Sequence, residues 1–182
     1  MGEPTDLDLV QRARSGDRNA FARLIAPRVQ PSWRLVRAIG GQDVDPDDVV
    51  QEALIMAWRD LPSLRNAGSF DGWLRRIVLN ATRHALRDRK VRRIRVVAGA
   101  DERSGGEPSM PGPGSAVAER EAIERAFGRL SVDHRSILVL RLLEDHSMEA
   151  VAETLGIPVG TAKSRLHHAR TALRAALAAE SR

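Results

Sequence analysis

Residues 98–115 read AGADERSGGEPSMPGPGS, and this stretch does the most to limit how the chain can fold. Gly, Pro and Ser dominate it, and its few apolar residues follow neither helical nor strand spacing. Because such a composition buries too little apolar surface to fold alone, it predicts a flexible linker; an ordered surface loop is the alternative. The 182-residue chain is therefore expected to form two small domains, over residues 1–95 and 117–182, with the linker over 96–116.

Both segments beside this linker show helical periodicity. In the first, apolar residues recur at three- and four-residue steps from Leu7 to Ile25, and one long amphipathic helix is predicted over 70–93. Pro27 and Pro31 are expected to interrupt the helical pattern between these two parts. The predicted fold class is all-α, with two small helical domains joined by a flexible linker.

The composition excludes several classes of site. Because the chain has no cysteine, it can have neither disulfides, nor thiolate metal sites, nor cysteine nucleophiles. The net charge is +5, and only Lys90 and Lys163 are lysine, so arginine supplies nearly all the positive charge. An acidic start without an apolar core predicts no signal peptide, and no apolar run is long enough for membrane insertion. We therefore expect a cytoplasmic protein.

An acidic segment begins at Asp45. This residue is predicted to cap a helix that starts with Pro46, and the acids that follow favour the positive end of the helix dipole. Asp48 and Glu52 lie one turn apart and could share a metal ion. Capping explains the aspartates without a metal, and no nucleophile or second carboxylate cluster accompanies them, so we predict no metal, no cofactor and no enzyme activity. The exposed pair Gln51 and Glu52 instead favours a surface that binds another protein.

The long helix carries a basic face. Arg76, Asn80, Arg83, Arg87 and Lys90 recur at three- or four-residue steps, opposite the apolar stripe. A basic helical face is typical of nucleic-acid binding, although a solvated arginine-rich face would look the same.

Two aromatic residues stand at the start of this helix. Phe70 and Trp73 could anchor the core or stack on unpaired bases, and the sequence leaves this choice open.

A helix-turn-helix is predicted in the second domain. Ser147 is a good N-cap, Gly156 can adopt the left-handed conformation that ends a helix, and Pro158 can begin the next one. In such units the first turns of the second helix read the DNA major groove, while Leu166, Ala169 and Leu173 are expected to face the core. A helical hairpin with a basic solvent face is the alternative. The candidate DNA-binding residues are Thr161, Lys163, Ser164, Arg165, His167, His168 and Arg170.

Three segments, in this order, resemble the extracytoplasmic-function sigma factors of bacterial RNA polymerase. DPDDVVQEALIMAWRDL resembles the part of region two that binds polymerase, and FDGWLRRIVLNATRHALRDRKVRR resembles the promoter-melting and minus-ten-reading helix. LSVDHRSILVLRLLEDHSMEAVAETLGIPVGTAKSRLHHARTALR resembles region four, which recognises the minus-thirty-five element. Together these segments cover nearly the whole chain.

The resemblance implies that the partners are core RNA polymerase, promoter DNA and an anti-sigma factor. Polymerase would be bound by Asp48, Gln51, Glu52 and Ile55. The opened minus-ten DNA would be held by the loop at 64–70 and by Phe70, Trp73, Arg76, Asn80, Arg83 and Arg87. The helix around Lys163 would enter the upstream major groove. His167 and His168 stand where the family often has an aromatic or aliphatic residue and an arginine.

Other functions are compatible with parts of the pattern. An autonomous helix-turn-helix regulator would bind operator DNA as a dimer without polymerase. A small metal-dependent nuclease would use the acids between Asp47 and Glu52, and a polymerase-binding decoy would have lost promoter recognition. The sequence specifies neither the promoters, nor the inducing signal, nor the packing of the two domains.

Overall fold

The computed structural model describes residues 4–97 and 116–180, and all regular structure within these ranges is helical. The N-terminal domain contains α1 (Asp6–Arg14), α2 (Arg18–Ile25), α3 (Val29–Gly40), α4 (Pro46–Asp60) and α5 (Phe70–Val97). The C-terminal domain contains α6 (Ala116–Gly128), α7 (Val132–Leu138), α8 (Met148–Leu155) and α9 (Val159–Glu180), and a π-helical turn (Val139–Leu143) continues α7. The all-α prediction is confirmed.

The predicted start of α4 is confirmed in detail. The Asp45 carboxylate accepts a hydrogen bond of 2.9 Å from the backbone N–H of Asp47, and Pro46 is the first helical residue. From this cap, α4 packs beside α3 and α5, and Val50, Ala53 and Ala57 are buried in the core between them. Capping therefore gives the first aspartate of this segment a structural role.

The expectation that Pro31 interrupts the helical pattern is wrong. Pro31 lies in the first turn of α3, which begins at Val29 and continues to Gly40. The first backbone N–H groups of a helix have no partner within the helix, so proline loses no hydrogen bond there. The break lies one turn earlier, where Pro27 occupies a short 3₁₀ segment (Ala26–Arg28).

The helix-turn-helix forms with a shift of one residue. The Ser147 hydroxyl caps α8 by accepting from the N–H of Ala150, and Gly156 ends that helix at a φ of 67°. However, α9 begins at Val159 rather than at Pro158. The Pro158 carbonyl accepts from the N–H of Ala162, so Pro158 precedes the helix.

The helices on either side extend further into the predicted linker than the sequence indicated. Helix α5 continues through Val97 and α6 begins at Ala116, so the outermost predicted linker residues are helical. The rest of that prediction, residues 98–115, lies outside the described residues.

The two domains pack against each other, which the sequence left undecided. Helix α5 contacts α8, and α3 contacts α7. One hydrophobic cluster includes Leu35 and Leu74 from the first domain and Val139 from the second, and these residues also line a groove of about 540 Å³ between the domains. In residues 4–97 and 116–180, no helix has both the length and the apolar character that a bilayer crossing requires.

Candidate nucleic-acid interface

Helix α9 presents most of its candidate residues to solvent. Leu166 and Ala169 are buried and Leu173 is half-buried, which fixes the opposite side of the helix as the outer face. Arg165 is half-buried. The exposed candidates are Thr161, Lys163, Ser164, His167, His168 and Arg170.

The two histidines form a pair on this face. The rings of His167 and His168 lie edge to face, with centroids 5.7 Å apart, and both side chains are exposed. Imidazoles in this position can donate to or accept from base edges and phosphates. The outer face of α9 therefore offers ammonium, guanidinium, hydroxyl and imidazole groups within about two helical turns.

The turn between α8 and α9 lies next to an arginine from the other domain. Arg76 is on α5, and its guanidinium lies over Gly156; a Cβ atom added there would be 3.1 Å from Nη2 of Arg76. A side chain at this glycine would therefore meet both an unfavourable backbone angle and a neighbouring group. The basic face of α5 thus reaches the helix-turn-helix.

Most of the predicted basic face on α5 is accessible. Arg76, Asn80, Arg87 and Lys90 are exposed, and Ala81 and Leu86 on the other side are buried. Arg83 differs from them, because it is only 22% exposed and its Nη2 lies 3.1 Å from Oδ1 of Asp133 on α7. Burial lowers the pKa of Arg83, and Asp133 opposes this effect.

Phe70 and Trp73 have different environments. Phe70 is buried, so its ring belongs to the core and is covered in this arrangement; the Arg28 guanidinium lies 5.2 Å from its centroid. Trp73 is half-buried beside it, at a centroid distance of 5.7 Å. Of the two, Trp73 is the aromatic residue that could meet a base.

Arg28 fixes the start of α5 from a distant part of the sequence. It binds Asp71 on α5 and Asp6 on α1. Burial opposes its charge, but these two carboxylates outweigh that effect and raise the pKa of Arg28.

The loop before α5 exposes polar groups between two buried ends. Leu64 and Phe70 are buried, whereas Arg65 and Asn66 are exposed. The Asn66 side chain accepts a 2.9 Å hydrogen bond from the N–H of Gly68 and so holds the short 3₁₀ turn that follows. This loop therefore presents Arg65 and Asn66 to solvent beside the start of α5, and the Asn66 hydrogen bond holds its backbone turn.

The predicted protein-binding surface lies on α4, away from the core. Asp48, Gln51 and Glu52 are exposed, and the apolar side chain of Ile55 on the same helix is 62% exposed. A groove of about 330 Å³ runs beside them, between α4 and α5. Within residues 4–97 and 116–180, no group of three or more histidines and carboxylates is placed to hold a metal ion.

Sequence reasoning missed the residue that joins the two candidate DNA-binding helices. Asp133 on α7 contacts Arg83 on α5 and also Arg165 on α9, whose Nη1 lies 3.5 Å from Oδ2. Asp133 lies in the first turn of α7, two residues after the Ser131 N-cap, where an acid is ordinary. No local pattern could reveal its two partners, because both contacts are tertiary.

Comparison with known proteins identifies the family of both domains. The family description "Sigma-70 region 2" matches residues 24–92, and "Sigma-70, region 4" matches residues 120–173. The chain is 34% identical to RNA polymerase sigma factor CnrH of Cupriavidus metallidurans, over 98% of this chain and 97% of that protein. It is 35% identical to the ECF RNA polymerase sigma-E factor of Escherichia coli, over 93% of this chain and 92% of that one.

A solved structure gives the same result for the fold. The structure of CnrH in complex with the cytosolic domain of CnrY superposes with a TM-score of 0.66 at 27% identity, covering 96% of this chain and 97% of that one. The two region matches account for both domains, and the similarity to sigma factors extends over nearly the full length. The chain therefore belongs to the extracytoplasmic-function family of RNA polymerase sigma factors.

Proposed function

We propose that this chain is a promoter-specificity subunit, which binds core RNA polymerase and directs initiation at a particular set of promoters. The observation that carries the proposal is the exposed polar and basic face of α9. In the chain, this helix follows the capped helix α8 and a left-handed turn at Gly156. That geometry suits insertion of a helix into a major groove. Membership of the sigma family provides the polymerase context.

In this proposal α9 reads the minus-thirty-five element. Lys163 and Arg170 would contact phosphates or guanine edges, and Arg165 would form a bidentate base contact. Further, more adaptable hydrogen bonds would come from the shorter side chains of Thr161, Ser164, His167 and His168.

Helix α5 and the loop before it would hold the opened minus-ten strand. Arg76, Arg83 and Arg87 would attract the backbone, while Asn80 and Trp73 would contact unpaired bases. Arg65 and Asn66 lie at the edge of the same surface. Extruding a base costs a few kcal/mol, which these contacts would offset.

The surface on α4 would bind polymerase. Its acids, Asp48 and Glu52, share a helix face with the exposed Ile55, and a mixed acidic and apolar patch suits a basic protein partner. The chain itself would perform no chemistry, since the polymerase supplies the catalytic groups, and it would act in the cytoplasm. An anti-sigma factor is a further expected partner, because the related CnrH has been solved in complex with the cytosolic domain of CnrY.

The polymerase-binding role can be tested by charge reversal on α4. Glu52→Lys is preferable to a change at Asp48, because Asp48 lies in the first turn and also stabilises the helix dipole. We expect Glu52→Lys to lower affinity for core polymerase by about tenfold, since a like charge would face the basic partner. Co-elution with purified core polymerase in gel filtration measures the effect.

A matched control reverses an acid elsewhere. Glu124→Lys makes the same charge change on α6, at an exposed residue that pairs with Arg120 in the same helix. Its co-elution should equal that of the wild type. Equal co-elution of Glu52→Lys and wild type would show that this part of α4 is not the docking surface.

A further inference from the structure

Arg165 lies at the edge of the outer face of α9. It follows Thr161 by four residues and precedes His168 by three, so these three side chains share one side of the helix. Thr161 and His168 are exposed. On the inner side of Arg165 lie Ala162 and Ala169, which are buried. At such a border an arginine packs its stem against the domain and keeps its guanidinium towards the outer face.

A carboxylate of the same domain pairs with this guanidinium. Nη1 of Arg165 lies 3.5 Å from Oδ2 of Asp133 on α7, a helix that packs directly against α9. Arg83 of the other domain approaches Oδ1 instead, so it does not take the place of Arg165. Of the candidates on α9, Arg165 is the one whose charge is paired within residues 4–97 and 116–180. The contact between α7 and α9 belongs to the C-terminal domain alone.

The geometry of a guanidinium allows it to contact Asp133 and a base at the same time. Its N–H donors form a planar fork, in which Nε and Nη2 make up one edge. Asp133 lies against Nη1, and among the described residues no group pairs with the Nε–Nη2 edge of Arg165. Such an edge matches the O6 and N7 acceptors of a guanine in the major groove.

Helix capping does not account for the orientation of the Asp133 carboxylate. The N-cap of α7 is Ser131, whose hydroxyl accepts a 3.2 Å hydrogen bond from the N–H of His134. Both oxygens of Asp133 instead face arginines. An acid beside a DNA-binding face repels phosphates, so it weakens binding unless it acts through a neighbouring cation.

We propose that Asp133 is a positioning residue, which directs the Nε–Nη2 edge of Arg165 towards one base pair of the minus-thirty-five element. This inference rests on the proposed function, since it takes that element as the ligand of α9. An arginine side chain has several rotatable bonds, and fixing it before binding removes part of the entropy cost of a base contact. Asp133 itself touches no DNA. It therefore changes the preference between sequences rather than the overall attraction to DNA.

The test measures discrimination one base pair at a time. The holoenzyme competes, in fluorescence anisotropy, for a duplex obtained by selection and for duplexes in which each base pair of the minus-thirty-five element is changed in turn. Arg165→Gln should lower discrimination by about tenfold at one base pair, which identifies the base that it contacts. Asp133→Asn should lower discrimination at the same base pair by about fivefold, because the guanidinium remains but is no longer held in place.

The affinity for scrambled DNA separates positioning from a simple charge effect. Asp133→Asn removes a negative charge near the DNA, so its affinity for a scrambled duplex should stay the same or rise. A charge effect alone would raise the affinities for all duplexes by the same factor and leave their ratios unchanged. Positioning instead predicts a smaller ratio at one base pair.

Two further variants serve as a matched control and a rescue. Asp145→Asn makes the same change in the same domain, at an aspartate that is 93% exposed and pairs with Arg141 four residues earlier. Its φ of 50° lies in the left-handed region, which asparagine tolerates, so its discrimination should equal that of the unchanged protein. Asp133→Glu retains the carboxylate and should keep most of the discrimination that Asp133→Asn loses.

The double variant covers the case in which Asp133→Asn weakens α7, where the aspartate lies in the first turn. Asp133→Asn combined with Arg165→Gln should discriminate as Arg165→Gln alone does, because a residue that acts only through Arg165 has nothing left to position. Circular dichroism checks that each variant is folded. Full discrimination in folded Asp133→Asn, equal losses at every base pair, or a further loss in the double variant would overturn the proposal.

Run-off transcription with the unchanged protein separates these results from the proposed function. A discrete start site together with full discrimination in Asp133→Asn refutes the positioning role alone. Selective duplex binding that responds to Asp133→Asn as expected, but gives no start site, refutes the function alone. An unchanged protein that binds no duplex selectively would overturn both.

Discussion

At the scale of single residues, two glycines near the start of α9 have opposite roles. Gly156 has a φ of 67°, and a Cβ atom there would lie 3.1 Å from Nη2 of Arg76. Gly160 lies in the first turn of α9, and a Cβ atom there would meet no other atom within 4 Å. The first glycine is required by the turn, whereas the second only adds freedom to the unfolded chain.

These roles predict stability changes of opposite sign. Gly156→Ala should lower the free energy of unfolding by about 1–2 kcal/mol, because an L-residue is strained in the left-handed region. Gly160→Ala should raise it by about 0.5 kcal/mol, because alanine loses less entropy on forming a helix. Urea unfolding followed by circular dichroism measures both. Changes of the same sign would contradict this account of the turn.

How well the sequence predicted a residue depended on the range of its contacts. Asp45, Ser147 and Gly156 were predicted because a cap or a left-handed turn involves neighbours within four residues. Asp133 and Arg28 were missed because their partners lie far away in the sequence and meet them only through packing.

At the scale of elements, periodicity predicted the faces of the helices better than their ends. The buried and exposed sides of α5 and α9 follow the three- and four-residue spacing, because burial in a helix repeats with its geometry. The ends were less predictable. Pro31 fits within the first turn of α3, and α9 begins one residue after Pro158, because the first turn of a helix tolerates several arrangements of donors and caps.

If α9 is the element that contacts the DNA backbone, removing one of its exposed charges should change the salt dependence of binding. Lys163→Ala should reduce the slope of log affinity against log salt by about 0.9, one phosphate contact, with similar losses on promoter and scrambled duplexes. Fluorescence anisotropy with the assembled holoenzyme measures both quantities. Arg120→Ala, an exposed change on α6, is the control. An unaltered slope for Lys163→Ala would show that this lysine does not contact the DNA backbone.

At the scale of the whole molecule, the two domains form a closed unit that the sequence did not predict. Composition separated them at residues 98–115, but their packing depends on tertiary contacts: Arg75 to Glu144 at 3.3 Å, Arg83 to Asp133, and the shared apolar cluster around Leu35 and Val139. The candidate polymerase surface on α4 stays exposed in this form, whereas Arg83 and Arg165 do not.

The most direct test of the central claim is run-off transcription with purified core RNA polymerase, with and without this protein, on DNA selected by binding to the mixture. We predict a discrete start site that appears only when the protein is present, because the chain would supply both promoter contacts that core polymerase lacks. The contradictory result would be no transcript with any selected DNA, while the protein alone binds duplex DNA as a dimer. In that case the chain would act as an autonomous regulator.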